Sequence, residues 1–188
     1  MQQVENLNKE TETERETNFE SLVKEKQDMV YNVVLSIVQH KEDAEDVTQE
    51  VFVKIFNRLS QFRQESNINT WIYRIAVNAS IDHVKKMKRR KSGSFISLFF
   101  GNGIEDEPAH FDHPGVHMDN KENAAVLFKA INALPEKQKV AFTLHKVENL
   151  KARDVAEIME MNTGAVESLL SRAVVNLRKS LKNHYDQS

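Results

Sequence analysis

The chain has 188 residues, 40% of them hydrophobic, with 5 Gly, 3 Pro, 0 Cys and a formal net charge of -2. That length permits one domain or two small ones with an ordinary core, and the lack of cysteine excludes disulfides, thiolate nucleophiles and Cys-based zinc sites. A charge so close to zero gives no overall attraction to a polyanion, so nucleic-acid binding has to come from charge separated along the chain.

Glycine and proline are few, and the valines and isoleucines recur at helical rather than alternating spacing, which predicts an all-α fold. Residues 1–17 are polar and aperiodic and are expected to form a disordered or frayed tail. Phe19, Leu22, Val23, Val30, Val33, Val34, Ile37 and Val38 then follow the i, i+3, i+4 pattern of a long amphipathic helix ending near His40. Asp43 is placed to cap a second helix, in which Ala44, Val47, Val51, Ile55 and Leu59 form the buried stripe and the other face is acidic and polar. After a loop over Arg63 to Asn69, a third helix starts near Thr70, buries Trp71, Ile72, Ile75 and Ala79, and runs into Val84 to Lys91, where six of eight residues are Lys or Arg.

Residues 92–120 shift to Gly, Pro, His and acidic residues and read as a flexible interdomain linker. A second helical group follows over 121–188, with Pro135 in the first turn of one helix and further helices over Lys151 to Met159 and Thr163 to about Asn183. The pattern predicts two small helical domains, 18–91 and 121–188, on one tether.

Ala152 to Met159, a break at Glu160-Met161-Asn162, and Thr163 to Leu170 have the dimensions of a helix-turn-helix. Ala156 is small where the two helices meet, Asn162 is placed to cap the second helix, and Glu167, Ser168, Ser171 and Arg172 are left to face a groove. Helix pairs of this kind also occur without DNA. The basic tract is open to a bland reading as a solvated face, and membrane-surface binding is a further alternative. The helix that carries it has Asp82 and His83 in its middle and its apolar residues are committed to a core, so phosphate contact fits better. Phe62, Trp71 and Tyr73 beside it are either core aromatics or a platform for an unstacked base.

The chain shows no P-loop, no Gly-rich nucleotide turn and no nucleophile with an ordered base, so an enzyme is not expected. His110, His113 and His117 with Asp112 and Asp119 resemble a metal set only loosely, and neither metal nor cofactor is expected. The apolar run Phe95, Ile96, Leu98, Phe99 and Phe100 is too short to span a bilayer and needs some other surface to dock on. A soluble, cytoplasmic protein is expected.

Asp43-Ala-Glu-Asp-Val-Thr-Gln-Glu-Val-Phe-Val-Lys-Ile-Phe56, Phe62-Arg63 and Thr70-Trp-Ile-Tyr-Arg-Ile-Ala-Val-Asn78 resemble conserved region two of bacterial sigma-70-type factors. Leu134-Pro-Glu136, Val155-Ala-Glu-Ile158, Gly164-Ala-Val-Glu-Ser168 and Arg172-Ala173 resemble their region four. The two in this order, joined by a short linker, are similar to the extracytoplasmic-function group. The resemblance implies a sigma factor whose partners are core RNA polymerase, promoter DNA and an anti-sigma factor.

Carried over by position, Asp43, Asp46, Gln49, Glu50 and Lys54 would dock on polymerase. Phe62, Arg63, Ser66, Asn69, Trp71, Ile75 and Asn78 would capture a flipped base of the minus-ten element, while Lys85, Lys86, Arg89 and Arg90 hold the adjoining backbone. Asn162, Thr163, Glu167, Ser168, Ser171 and Arg172 would meet the minus-thirty-five element. The usual motif has basic residues where this chain has Glu167, Leu169 and Val174, and a capping hydroxyl where it has Lys151, so the common upstream preference is not implied. The competing expectation is a helix-turn-helix regulator that acts without joining polymerase.

Overall fold

The computed structural model describes residues 2–59, 62, 67–93 and 121–185, and those residues form seven α-helices without a strand. The linker residues and the apolar and His-containing segments within them, from Ser94 to Asn120, lie outside the described residues, as do Arg63 and Ser66.

Helix α1 spans Gln2–Val38, α2 Lys41–Arg58 and α3 Ile68–Gly93, and each packs on the other two. The apolar spacing read from the sequence is the packing surface: Val30, Val33, Val34 and Ile37 of α1 meet Ala44, Val47, Val51 and Ile55 of α2 and Ile72, Ala76 and Ala79 of α3 in one buried cluster. Phe19 extends the cluster by an edge-to-face contact with Phe56, with ring centroids 4.9 Å apart.

The helix ends differ from those expected. Helical backbone begins at Gln2, where a tail was expected, in a segment rich in the helix-favouring Glu, Gln and Lys. The cap of α2 is His40, not Asp43: Gln39, at φ 58°, reverses the chain immediately after α1, leaving His40 extended. The ring Nδ1 of His40 then accepts the Asp43 amide at 3.4 Å, and Asp43 lies in the first turn. Helix α3 starts at Ile68 rather than near Thr70, with the Asn67 side chain accepting the Asn69 amide at 2.8 Å.

The second unit comprises α4 (Lys121–Asn132), α5 (Glu136–Phe142), α6 (Ala152–Ile158) and α7 (Thr163–Tyr185), with Pro135 capping α5. Helix α5 widens into a π turn at Thr143–Val147, which the Leu150 amide closes onto the Leu144 carbonyl at 3.0 Å. Phe128, Ile131 and Leu134 pack on Ala173 and Leu177, while α6 and α7 meet through Val155, Ala156, Ile158 and Val166.

The two units are docked and do not merely share a tether. Val140, Ala141, Leu144, Val155, Ala156 and Ile158 join the same buried cluster as the cores of α1, α2 and α3. Helix α3 lies against α6, and α1 against the π turn. Periodicity shows which face of a helix is apolar and leaves open what covers it, so the linker composition argued for separation where the apolar faces found each other.

Glu148 of the second unit enters this seam. The Ser36 hydroxyl of α1 donates to its carboxylate at 3.4 Å, and on α3 burial, with the Glu148 charge adding to it, raises the Tyr73 hydroxyl pKa. Burial pushes Glu148 itself up to about 7 from 4.5, against the smaller opposing effect of the Ser36 hydrogen bond. A carboxyl with a raised pKa holds its proton more tightly in the docked, folded chain than in the open or unfolded one. Its contribution to stability is therefore undiminished below pH 4.5 and falls as pH rises towards 7. Urea unfolding of the full chain should show that fall, and Glu148→Gln should flatten it and be the more stable protein above pH 7.

Candidate nucleic-acid interface

Helix α3 has to serve a core and a surface at once, and its sequence divides the two by face. Ile72, Tyr73, Ile75, Ala76, Val77, Ala79 and Ser80 are buried. Asn78 is exposed on the opposite side, and the turns that follow carry exposed Lys85, Lys86, Lys88, Arg89 and Arg90. Phe62, half-buried in the preceding loop, lies against the half-buried Trp71 ring with centroids 5.2 Å apart and planes inclined at 43°. The structure sets Phe62 against Trp71 in the first turn of α3, with Asn69 in the same turn and Asn78 further along, ahead of the cationic half of the helix. Asn69 has a buried side-chain oxygen with no protein partner, an acceptor left over for another molecule. Ile75 is not part of this surface: at 8% exposure it belongs to the core and supports the helix from behind.

On α2 the buried stripe sets Asp46, Gln49 and Glu50 on the open face. Val53 follows them at helical spacing with 59% of its surface exposed, an apolar residue in an acidic face. It was legible in principle, because it lies off the Ala44, Val47, Val51, Ile55 register. Lys54 pairs with Glu50 at 2.7 Å, one turn apart. At the helix start the Asp43 amide donates to His40, and the Asp43 carboxylate lies 3.4 Å from the Nε2 of His83 on α3. It is therefore partly committed within the fold.

In the helix-turn-helix, the Asn162 side chain accepts the Ala165 amide at 2.8 Å, as its position predicts. Val166 is fully buried below, so Thr163, Glu167, Ser168, Ser171 and Arg172 all stand exposed on the outer face of α7. The Ser168 hydroxyl donates to the Gly164 carbonyl at 3.0 Å and is partly occupied by its own helix. At the start of α6, Lys151 makes no capping hydrogen bond, in keeping with its missing hydroxyl.

Sequence reasoning missed the residues that join the units. Arg74 of α3 donates to the Glu157 carbonyl at 3.0 Å and pairs with Glu160 at 3.0 Å. Lys85 pairs with Glu136 at 3.1 Å, both about half exposed. Lys139 is only 6% exposed, donates to Asn132 at 2.6 Å, and is pushed down to about 8 by burial and by the charge of Lys88.

A helical unit with a packed aromatic pair and a cationic helix, followed by a helix-turn-helix, has the features of a DNA-binding protein. The family models for Sigma-70 region 2 and Sigma-70 region 4 match residues 22–90 and 125–177. The chain is 31% identical over 166 residues to the RNA polymerase sigma-H factor of Pseudomonas aeruginosa, covering 87% of this chain and 86% of that one. It is 34% identical over 161 residues to the ECF RNA polymerase sigma-E factor of Haemophilus influenzae, covering 82% of each. Among solved structures, the sigma factor RpoE in complex with the anti-sigma factor NepR from Bartonella quintana matches with a TM-score of 0.68 at 24% identity, covering 88% of this chain and 97% of that one.

The chain belongs to the sigma-70 family, in its extracytoplasmic-function group. It is a transcription initiation factor that joins core RNA polymerase and directs it to promoter DNA, and is not an enzyme. Among the described residues no helix is long and apolar enough to cross a membrane.

Removal of the one side-chain cap at the reading helix has a defined cost. Asn162→Ala should destabilise the chain by about 0.5–2 kcal/mol in thermal unfolding, with Asn162→Gly closer to wild type.

Proposed function

We propose that the two units divide promoter recognition as follows: residues 18–91 bind polymerase and capture the minus-ten element, and residues 121–188 bind the minus-thirty-five element. The observation that carries the first half is the division of α3, with the Phe62–Trp71 pair at its first turn and Asn78 exposed further along, ahead of the cationic turns. Aromatic faces stack on a base while amide groups hydrogen-bond its edge, and Lys85, Lys86, Arg89 and Arg90 neutralise the neighbouring phosphates. Arg63 and Ser66 complete the set from the resemblance. A base held outside the stack favours the melted state, so opening draws on binding energy alone.

Polymerase docking is assigned to Asp46, Gln49, Glu50 and Val53, with Asp43 and Lys54 holding the ends of that face. An acidic stripe with one apolar centre suits a basic helical partner. Asn162, Thr163, Glu167, Ser168, Ser171 and Arg172 are assigned to the upstream DNA. An anti-sigma partner is part of the proposal, since one solved structure of similar fold is a sigma factor in complex with an anti-sigma factor. The cytoplasm, where polymerase and DNA meet, is the proposed place of action.

Asn78→Ala tests the minus-ten assignment: the variant should join polymerase like wild type yet give a weaker permanganate footprint at the promoter bubble. An undiminished bubble would remove Asn78 from the capture site. In the second unit, Glu167 is positioned to accept a hydrogen bond from a cytosine amino group in the major groove. Glu167→Ala should lose about 1–3 kcal/mol of discrimination at a single upstream base pair. Equal loss of affinity for all four bases would show that Glu167 does not read sequence.

A further inference from the structure

Among the described residues two large apolar side chains are left exposed, Val53 on α2 and Val175 on α7, at 59% and 61%. A single exposed valine is ordinary, but each of these stands in a helix face of one charge. On α2, exposed Glu42, Asp46, Gln49, Glu50 and Val53 share the side opposite the buried Ala44, Val47, Val51 and Ile55. On α7, exposed Arg172, Val175, Arg178, Lys179 and Lys182 share the side opposite the buried Val166, Ala173 and Leu177. The stretch from Ser171 to Lys182 has no acidic residue.

The two faces match in spacing as well as in charge. Set antiparallel with Val53 against Val175, they bring Glu50 to Arg178, each three residues from its valine, and Asp46 to Lys182, each seven residues away. A parallel alignment offers Glu50 only Arg172 and sets Asp46 against Ser168. Both faces are exposed at once in the docked chain, so neither covers the other within one molecule. Glu50 shares its carboxylate with Lys54 at 2.7 Å, a partly exposed pair one turn apart that gives way at little cost.

We propose that the α2 face of one copy docks, antiparallel, on the α7 face of a second copy of this chain, the two valines in contact and the charged rows paired beside them. The apolar area is small and the ion pairs lie at the surface, so the contact is weak, concentration-dependent and screened by salt. A net charge of -2 leaves little long-range repulsion between copies to oppose it. Because unlike faces meet, two copies close the contact reciprocally or further copies extend it. The acidic face is the one proposed above for polymerase, and on that reading the second copy and polymerase exclude each other.

Sedimentation velocity of the full chain, free of nucleic acid and polymerase, tests this at low salt up to about 1 mM, the weak end of specific association. The sedimentation coefficient should rise with concentration and fall back when salt is added. Asp46→Lys with Glu50→Lys, or Arg178→Glu with Lys182→Glu, all at exposed positions, should each weaken self-association by about tenfold. A mixture of the two variants should associate again, because the reversed α2 of one meets the reversed α7 of the other.

A wild type that stays monomeric throughout overturns the proposal. So does association of either variant as strong as that of the wild type, or a mixture no more associated than its components. Should a charge reversal unfold the chain, Asp46→Asn with Glu50→Gln takes its place, and undiminished association there overturns the proposal equally. With polymerase absent, the outcome is independent of the role assigned to α2 in polymerase docking.

Discussion

A helix has a limited circumference, and α3 is asked to use all of it. One face must be apolar, because α1 and α2 bury little without it, and a stripe of that width takes Ile72, Tyr73, Ile75, Ala76, Val77 and Ala79 out of contact with solvent. What remains is shared between the pocket residues near Trp71, the basic turns beyond Val84, and the contact with α6. The three uses lie side by side along one axis. A change on any face of α3 is therefore felt by the others, and the docking of the second unit is a matter of which neighbour holds the exposed side of this helix.

The seam itself combines strong and weak parts. Its apolar residues are continuous with the main core and gain from the removal of that area from water. Its polar contacts, Arg74 with Glu160 and Lys85 with Glu136, sit at the rim, where solvent screens them. Glu148 is the exception, a half-buried carboxylate that accepts from the Ser36 hydroxyl and whose ionised form is costly there.

What the sequence made legible was local. The apolar register of α2, the Asn162 cap and the outward set on α7 each depend on residues within a turn or two, and each is present in the structure. Ile75 misled because its family position speaks for a pocket while its place on α3 puts it in the core. His40 was passed over as a cap because histidine seldom does that work, and the left-handed Gln39 that makes it possible has no signal in composition. The seam was out of reach: Arg74 finds Glu157 83 residues away and Ser36 finds Glu148 112 residues away, and no spacing rule spans such separations. The charges on both sides were visible, but not their pairing.

Among the described residues, three other than glycine have left-handed backbone, Gln39, Asn149 and Glu160, and each stands beside the seam. Gln39 donates to the Ser36 carbonyl at 3.4 Å, Asn149 follows Glu148, and Glu160 holds Arg74. Glycine would make all three turns with less strain. At Glu160 it would also delete the anchor for Arg74, so the turn between the two helix-turn-helix helices carries a second message besides its geometry. In a relative with glycine there, the same bend would leave Arg74 unclasped, and one turn residue would distinguish chains built to hold their halves together from chains that only string them in a row.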